Sequence, residues 1–196
     1  MHGWWLASYI VLWALVVALA TLVVGLARQI GALHLRLGPR GALELDDEGP
    51  PLGSAPASAE LLSPNGDRIG VGGEGEAQFL LFVSPDCPVC EQVLPAVGAV
   101  ATEARFAPRV IVDGEDEDAR RVGGRRAQRA PVAASPELGL AYGVPGTPYA
   151  VVLDERGIVR AKGTVNNMEQ VEGLVRTAEQ RTLMNASTAS TAATHR

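Results

Sequence analysis

The chain has 196 residues, 47% hydrophobic and 20% charged, with a formal net charge of -5. That is room for one domain of ordinary size plus an appendage. The acidic balance offers no basic face and argues against a nucleic-acid partner.

After a short tip (residues 1–3), "WWLASYIVLWALVVALATLVVGLA" runs over 4–27 without a formal charge. As a helix it would measure about 36 Å, enough to cross a hydrocarbon core of about 30 Å. Trp4, Trp5 and Tyr9 stand near one end, where interfacial anchors belong. A cleaved signal peptide would have a shorter apolar core, a basic start and a small-residue cleavage site. A helix of a globular domain is disfavoured, since it would ordinarily keep a polar face and this segment is apolar all round. The expectation is a retained single-pass helix with the lipid bilayer as its partner. No Lys or Arg precedes it, whereas Arg28, Arg36 and Arg40 follow. The positive-inside rule therefore places the rest of the chain in the cytoplasm.

Residues 28–58 read as a juxtamembrane segment and linker. Helical periodicity continues through Ile30, Leu33 and Leu37, and "ELDDEGPPLGSAPAS" (44–58) is rich in Pro, Gly and acid. A globular domain is expected over 59–184. "LLSPNGDRIGV" (61–71) carries an Asn-Gly hairpin signal. "GVGGEG" (70–75) matches G-x-G-x-x-G but leads into a strand instead of a helix, so it reads as a turn and not a nucleotide site. "QFLLFV" (78–83) is a continuous apolar run, as in a buried central strand.

A helix is predicted over 91–106, a strand over 109–113 and a polar helix over 116–129. The arginines at 120, 121, 125, 126 and 129 follow the acidic run "DGEDED" (113–118) and read as a solvated, mixed-charge helix face. "PVAAS" (131–135) is a short strand. "SPELGLAY" (135–142) opens a helix with a Ser cap and Pro at its first position. "YAVVLDERGIVRAKG" (149–163) is two strands around a turn at Asp154–Gly157. A terminal helix follows, capped by Asn167 with Gln170 three residues on. The last dozen residues, 185–196, are low in complexity and expected to be disordered. This order of elements predicts an α/β fold, a mixed central sheet with helices on both faces.

The only two cysteines stand in "SPDCPVC" (84–90). A structural zinc site needs four ligands, and His2, His34 and His195 all lie outside the globular region. Haem attachment needs C-x-x-C-H, and position 91 is Glu. A purely structural disulfide would close a very short loop and constrain the unfolded chain little. Redox chemistry is the favoured reading, with no metal and no cofactor beyond the redox-active disulfide. Cys87 would sit at the start of the helix after "QFLLFV". There the unpaired N–H groups and the helix dipole favour a thiolate, which makes Cys87 the nucleophile. Cys90, one turn on and more buried, would resolve the mixed disulfide. Pro88 suits the first turn, and Pro95 would kink the helix. Thr147-Pro148 opens a strand with a residue that cannot donate to the ladder. A cis peptide there would remove the oddity.

The buried strand, C-x-x-C opening a helix, Pro95 five residues later, and Thr147-Pro148 before a hairpin and final helix resemble the thioredoxin superfamily. The long interval from Cys90 to Pro148 resembles its membrane-tethered, TlpA-like branch. "LARQIGALHLRLGP", "FVSPDCPVC", "YGVPGTPYAVVLDERGIVRAKG" and "VNNMEQVEGLV" together are similar to the MauD family of methylamine utilization accessory proteins. The resemblance implies that Thr147 and Pro148 offer backbone bonds to a client strand. It implies a membrane-anchored thiol–disulfide oxidoreductase or isomerase that assists maturation of the methylamine dehydrogenase small (beta) subunit. That client is disulfide-rich and periplasmic, so the resemblance puts the domain in the periplasm of a bacterial inner-membrane protein, against the arginine count. It also implies an electron-donor protein, with a membrane protein as one source. Alternatives are a generic TlpA-type reductase for cytochrome maturation and a non-catalytic client-binding tether. A peroxiredoxin-type peroxidase fits less well, since Leu80 stands where that family's loop proline belongs. Thioredoxins carry a buried carboxylate six residues before the first cysteine. Here that position is Leu81, which leaves Asp86, Glu91 or water to handle protons. Asp86 beside Cys87 would oppose thiolate formation.

Overall fold

The computed structural model describes residues 3–36, 48–103, 105–125 and 130–194. It divides into two compact units, Met1–Pro39 and Arg40–Arg196.

The first unit is helix α1, Gly3–Arg36. Its stretch Gly3–Val23 is long and apolar enough to cross a membrane. The helix outruns the expected span of 4–27, because "RQIGALHLR" is rich in strong helix formers. Two of its polar side chains bond back to their own backbone. Ser8 Oγ donates to the Trp5 carbonyl and Thr21 Oγ1 to those of Val17 and Ala18. Such internal pairing is what a segment in lipid requires.

The second unit is built on strands β1 (Ala59–Leu62), β2 (Arg68–Val71), β3 (Gln78–Val83), β4 (Ala107–Val112), β5 (Val132–Ala134), β6 (Tyr149–Leu153) and β7 (Val159–Thr164). Its helices are α2 (Pro88–Glu103), α3 (Asp116–Arg125), α4 (Pro136–Ala141) and α5 (Met168–Thr194). Five strands form one sheet in the order β5-β4-β3-β6-β7, and β1 and β2 form a separate hairpin. β3 and β4 are parallel, as are β4 and β5; β6 runs antiparallel to both its neighbours, β3 and β7. The expected mixed sheet flanked by helices is borne out.

β3 is buried along its whole length, as its unbroken apolar run demands. Phe79, Leu81 and Val83 face the core with Cys90, Val93 and Val97 of α2 and Val171, Leu174 and Val175 of α5. Leu80 and Phe82 face the other core, with Ile69 and Val71 of β2 and Leu138 of α4. Ser135 caps α4 by accepting the Leu138 N–H, and Pro136 occupies its first turn. Asn167 Oδ1 accepts the Gln170 N–H at the start of α5, while Gln170 Oε1 accepts that of Asn166.

Three expectations are corrected. Residues 48–58, placed in the linker, are docked on the domain. The Gly53 N–H donates to the Val159 carbonyl and the Val159 N–H to the Ser54 carbonyl, 2.9 Å each. Tyr149 Oη and Lys162 Nζ both donate to the Glu48 carbonyl, and Tyr142 Oη to that of Ala57. Edge strand β7 and these buried polar tips need partners that the strap supplies. The tail expected to be disordered from 185 continues α5 to Thr194. Its Ala-rich sequence contains no Gly or Pro to stop the helix. The helix expected to run to 106 ends at Glu103, and it begins at Pro88, the first-turn position expected for that proline. The end of the polar helix, 126–129, lies outside the described residues.

Candidate active site

β3 delivers the chain to a tight turn in which the Cys87 N–H donates to the Ser84 carbonyl at 3.3 Å. α2 then begins at Pro88, a position whose N–H would have no intrahelical acceptor. Cys87 therefore stands at the cap, and its Sγ accepts the Cys90 N–H at 3.2 Å. The two sulfurs are joined in a disulfide, with Cα atoms 5.3 Å apart, inside the usual range. The cysteines are not equivalent. Cys87 is half-buried and reachable, whereas Cys90 is 1% exposed and packed with the α2–α5 core. Pro95 lies on the exposed side of α2, between buried Leu94 and Ala96.

The loop before β6 closes the site from the other side. The Thr147 carbonyl oxygen lies 3.9 Å from Cys87 Sγ. The Thr147–Pro148 peptide is cis. Pro148 is buried and precedes the first ladder residue, Tyr149, so the sheet loses no donor to it. The Pro148 carbonyl accepts the Val165 N–H at 3.2 Å.

A cleft of about 310 Å³ opens beside the disulfide, lined by Ser84, Pro85, Cys87, Cys90, Glu91, Leu94, Arg121 and Val122. Two larger grooves, about 710 and 680 Å³, lie elsewhere and contain neither cysteine. The smaller cleft is the one lined by both cysteines, which makes it the candidate site. Leu81 is fully buried in the same core as Cys90, so no carboxylate stands at that position. Asp86 is on the rim with its side chain 87% exposed. Glu91 lines the cleft and is exposed. Among the described residues, no group of three or more His, Cys, Asp or Glu could hold a metal ion.

Arg121 is the cleft residue that sequence reasoning missed. It is exposed, as expected of that helix face, and α3 also brings it to the lining of the cleft that holds both cysteines, with Nη1 3.9 Å from Asp86 Oδ1. Its pairing with Asp118 is local, at i,i+3. The approach of α3 to the cysteines is not, because it depends on how α3 packs.

A thioredoxin-like domain family model matches residues 65–179. The methylamine utilization protein MauD of Methylorubrum extorquens is 35% identical over 174 residues, covering 87% of this chain and 84% of the relative. The MauD of Paracoccus denitrificans is 35% identical over 179 residues and covers 89% of each chain. This chain belongs to the MauD family. The resemblance read from the sequence is thereby borne out. MauD sequence similarity spans most of the chain, whereas fold similarity reaches further afield. The exposed lipoprotein thioredoxin Etrx1 of Streptococcus pneumoniae matches with a TM-score of 0.54 at 20% identity, over 63% of this chain and 99% of that one. At that identity the likeness concerns the fold alone. MauD membership and the thioredoxin-like architecture thus rest on separate observations that agree.

Proposed function

We propose that this MauD-family chain is a membrane-anchored thiol–disulfide oxidoreductase or isomerase of methylamine utilization, acting on a disulfide-bonded protein client. The observation that carries the reading is the inequality of the two sulfurs. Cys87 is reachable, capped by the Cys90 N–H and flanked by the Thr147 carbonyl, while Cys90 is sealed beneath it.

In the reduced state, the Cys87 thiolate attacks one sulfur of the client disulfide. A Cys87–client bond forms, the client bond breaks, and the departing client sulfur leaves as a thiolate that takes a proton from water. If that client thiolate opens a second client disulfide, and the thiolate so freed attacks the client sulfur bonded to Cys87, a new client disulfide forms, the Cys87 thiolate leaves, and the client has isomerised with no net electron transfer. If instead the Cys90 thiolate attacks Cys87 Sγ, the client leaves reduced and the pair has given up two electrons. A dithiol donor protein must then restore the pair. The redox group is the cysteine pair itself. Thr147 and Pro148 hold the client strand beside Cys87 through backbone bonds.

The proposed client is the small subunit of methylamine dehydrogenase, and the proposed compartment is the periplasm, where disulfides persist. Replacing Cys87 with Ser should abolish assembly of correctly bridged methylamine dehydrogenase. Full assembly in that variant would favour a non-catalytic tether. A thiol reagent that cannot cross the inner membrane should label Cys87 in intact cells after chemical reduction. Labelling only after lysis would place the domain in the cytoplasm, as the arginine count has it.

A further inference from the structure

The electrostatics of the cleft are unusual for a site that must hold a thiolate. The turn before Cys87 carries Asp86, and α2 carries Glu91. Both carboxylates oppose a negative sulfur. The opposing charge comes from α3. Among the described residues lining the cleft, Arg121 is the one cation. Its Nη2 is bound to Asp118 one turn earlier, and its Nη1 lies 3.9 Å from Asp86 Oδ1.

Asp118 is itself fixed. It accepts the Glu115 N–H at 3.0 Å, and that bond and Arg121 hold its carboxyl below the ordinary range. It therefore stays charged at neutral pH and acts as a strut that keeps the guanidinium over the cleft. Arg121 is half-exposed, with 49% of its side chain accessible, so solvent screens it and its effect is modest.

We propose that Arg121 is a positioning residue for thiol exchange: held by Asp118, it offsets Asp86 and Glu91 and keeps Cys87 in its thiolate form. This rests on the reading of Cys87 as the attacking sulfur and adds what sets its reactivity.

The test uses the full chain in detergent with Cys90→Ser, which leaves Cys87 as the sole cysteine. Its alkylation by iodoacetamide is followed against pH. Adding Arg121→Gln should move the midpoint upward and slow alkylation at neutral pH about two- to fivefold. Arg121→Lys should restore most of the rate. Asp86→Asn should move the midpoint the other way, and the combined Asp86→Asn/Arg121→Gln variant should fall between the two. Raising salt from about 0.05 to about 0.5 M should shrink the Arg121→Gln effect. A midpoint unmoved by Arg121→Gln, or a loss that Arg121→Lys does not recover, overturns the proposal. Insulin reduction by the chain with both cysteines keeps the two readings apart. Its failure would strike the oxidoreductase reading, whereas an unmoved midpoint with active exchange would strike Arg121 alone.

Discussion

The backbone N–H of Cys90 donates to Cys87 Sγ at 3.2 Å, so the buried cysteine supports its half-buried partner. After reduction the same N–H faces a thiolate, which it favours over the neutral thiol. On the proposed function, the burial difference makes Cys87 the first sulfur to react and Cys90 the second. Cys90→Ser should leave Cys87 able to attack but unable to be displaced. That variant should accumulate a client-linked mixed disulfide, visible as a band that reducing agent removes. Cys87→Ser should give none. Equal trapping by both variants would contradict the assigned roles.

Lys162 is the chain's only lysine, and it is 1% exposed. Its Nζ donates to the Glu48 carbonyl at 2.6 Å, and Tyr149 Oη donates to the same oxygen at 2.9 Å. The Gly49 N–H, next along, donates to the Gly143 carbonyl in the loop that leads to Thr147. Lys162 thus latches the strap to the floor of the active-site loop. An amine-reactive reagent should spare Lys162 in the native chain and modify it once the domain is unfolded, as peptide mapping would record. Lys162→Met should cost about 1.5–3 kcal/mol of domain stability, the range for a lost bond to a charged group. Rapid native modification would refute the latch.

Much of this arrangement was legible because it is written in local patterns. "QFLLFV" announces a central strand by being apolar at every position. CPVC and Thr147-Pro148 announce the site by residue type and spacing, and the flanking motifs reach as far as the MauD family. What escaped was tertiary. Pro and Gly in 48–58 look like linker until β7 and Lys162 are seen to need partners. Arg121 looks like one more solvated arginine until α3 is seen to bring it to the cleft that holds both cysteines. A lone lysine among sixteen arginines was countable, but nothing local marks it as buried.

The glycine-rich turn also has a checkable role. Gly157 adopts φ +71, and a Cβ there would meet the Gly73 carbonyl oxygen at 2.6 Å. Backbone cannot swing aside as a long side chain can. The contact joins the "GVGGEG" turn to the β6–β7 hairpin, reinforced by the Gly75 N–H donating to the Glu155 carbonyl at 2.8 Å. Gly157→Ala therefore combines a left-handed backbone with a clash. A loss of about 1–3 kcal/mol is expected, read as a lower denaturant midpoint. Gly66 also has positive φ, at +90, but open space around its Cβ position, so Gly66→Ala should cost less. Equal losses would mean the close approach contributes nothing.

Tyr142 predicts how the domain responds to alkali. It is 1% exposed, and its Oη donates to the Ala57 carbonyl of the strap at 3.1 Å. Burial disfavours the tyrosinate and pushes its pKa up from 10.0 to about 12. The folded state therefore holds the proton more tightly than the unfolded chain. This contribution to stability is complete below the unfolded value of 10.0 and is lost as pH rises through about 12. Melting temperature should fall over that window beyond the loss common to the other groups. Tyr142→Phe should cost about 1 kcal/mol at neutral pH through the missing bond, and its alkaline decline should be shallower because no buried phenol remains there to ionise. Parallel declines for the two proteins between pH 10 and about 12 would show that Tyr142 ionisation does not govern the alkaline limit.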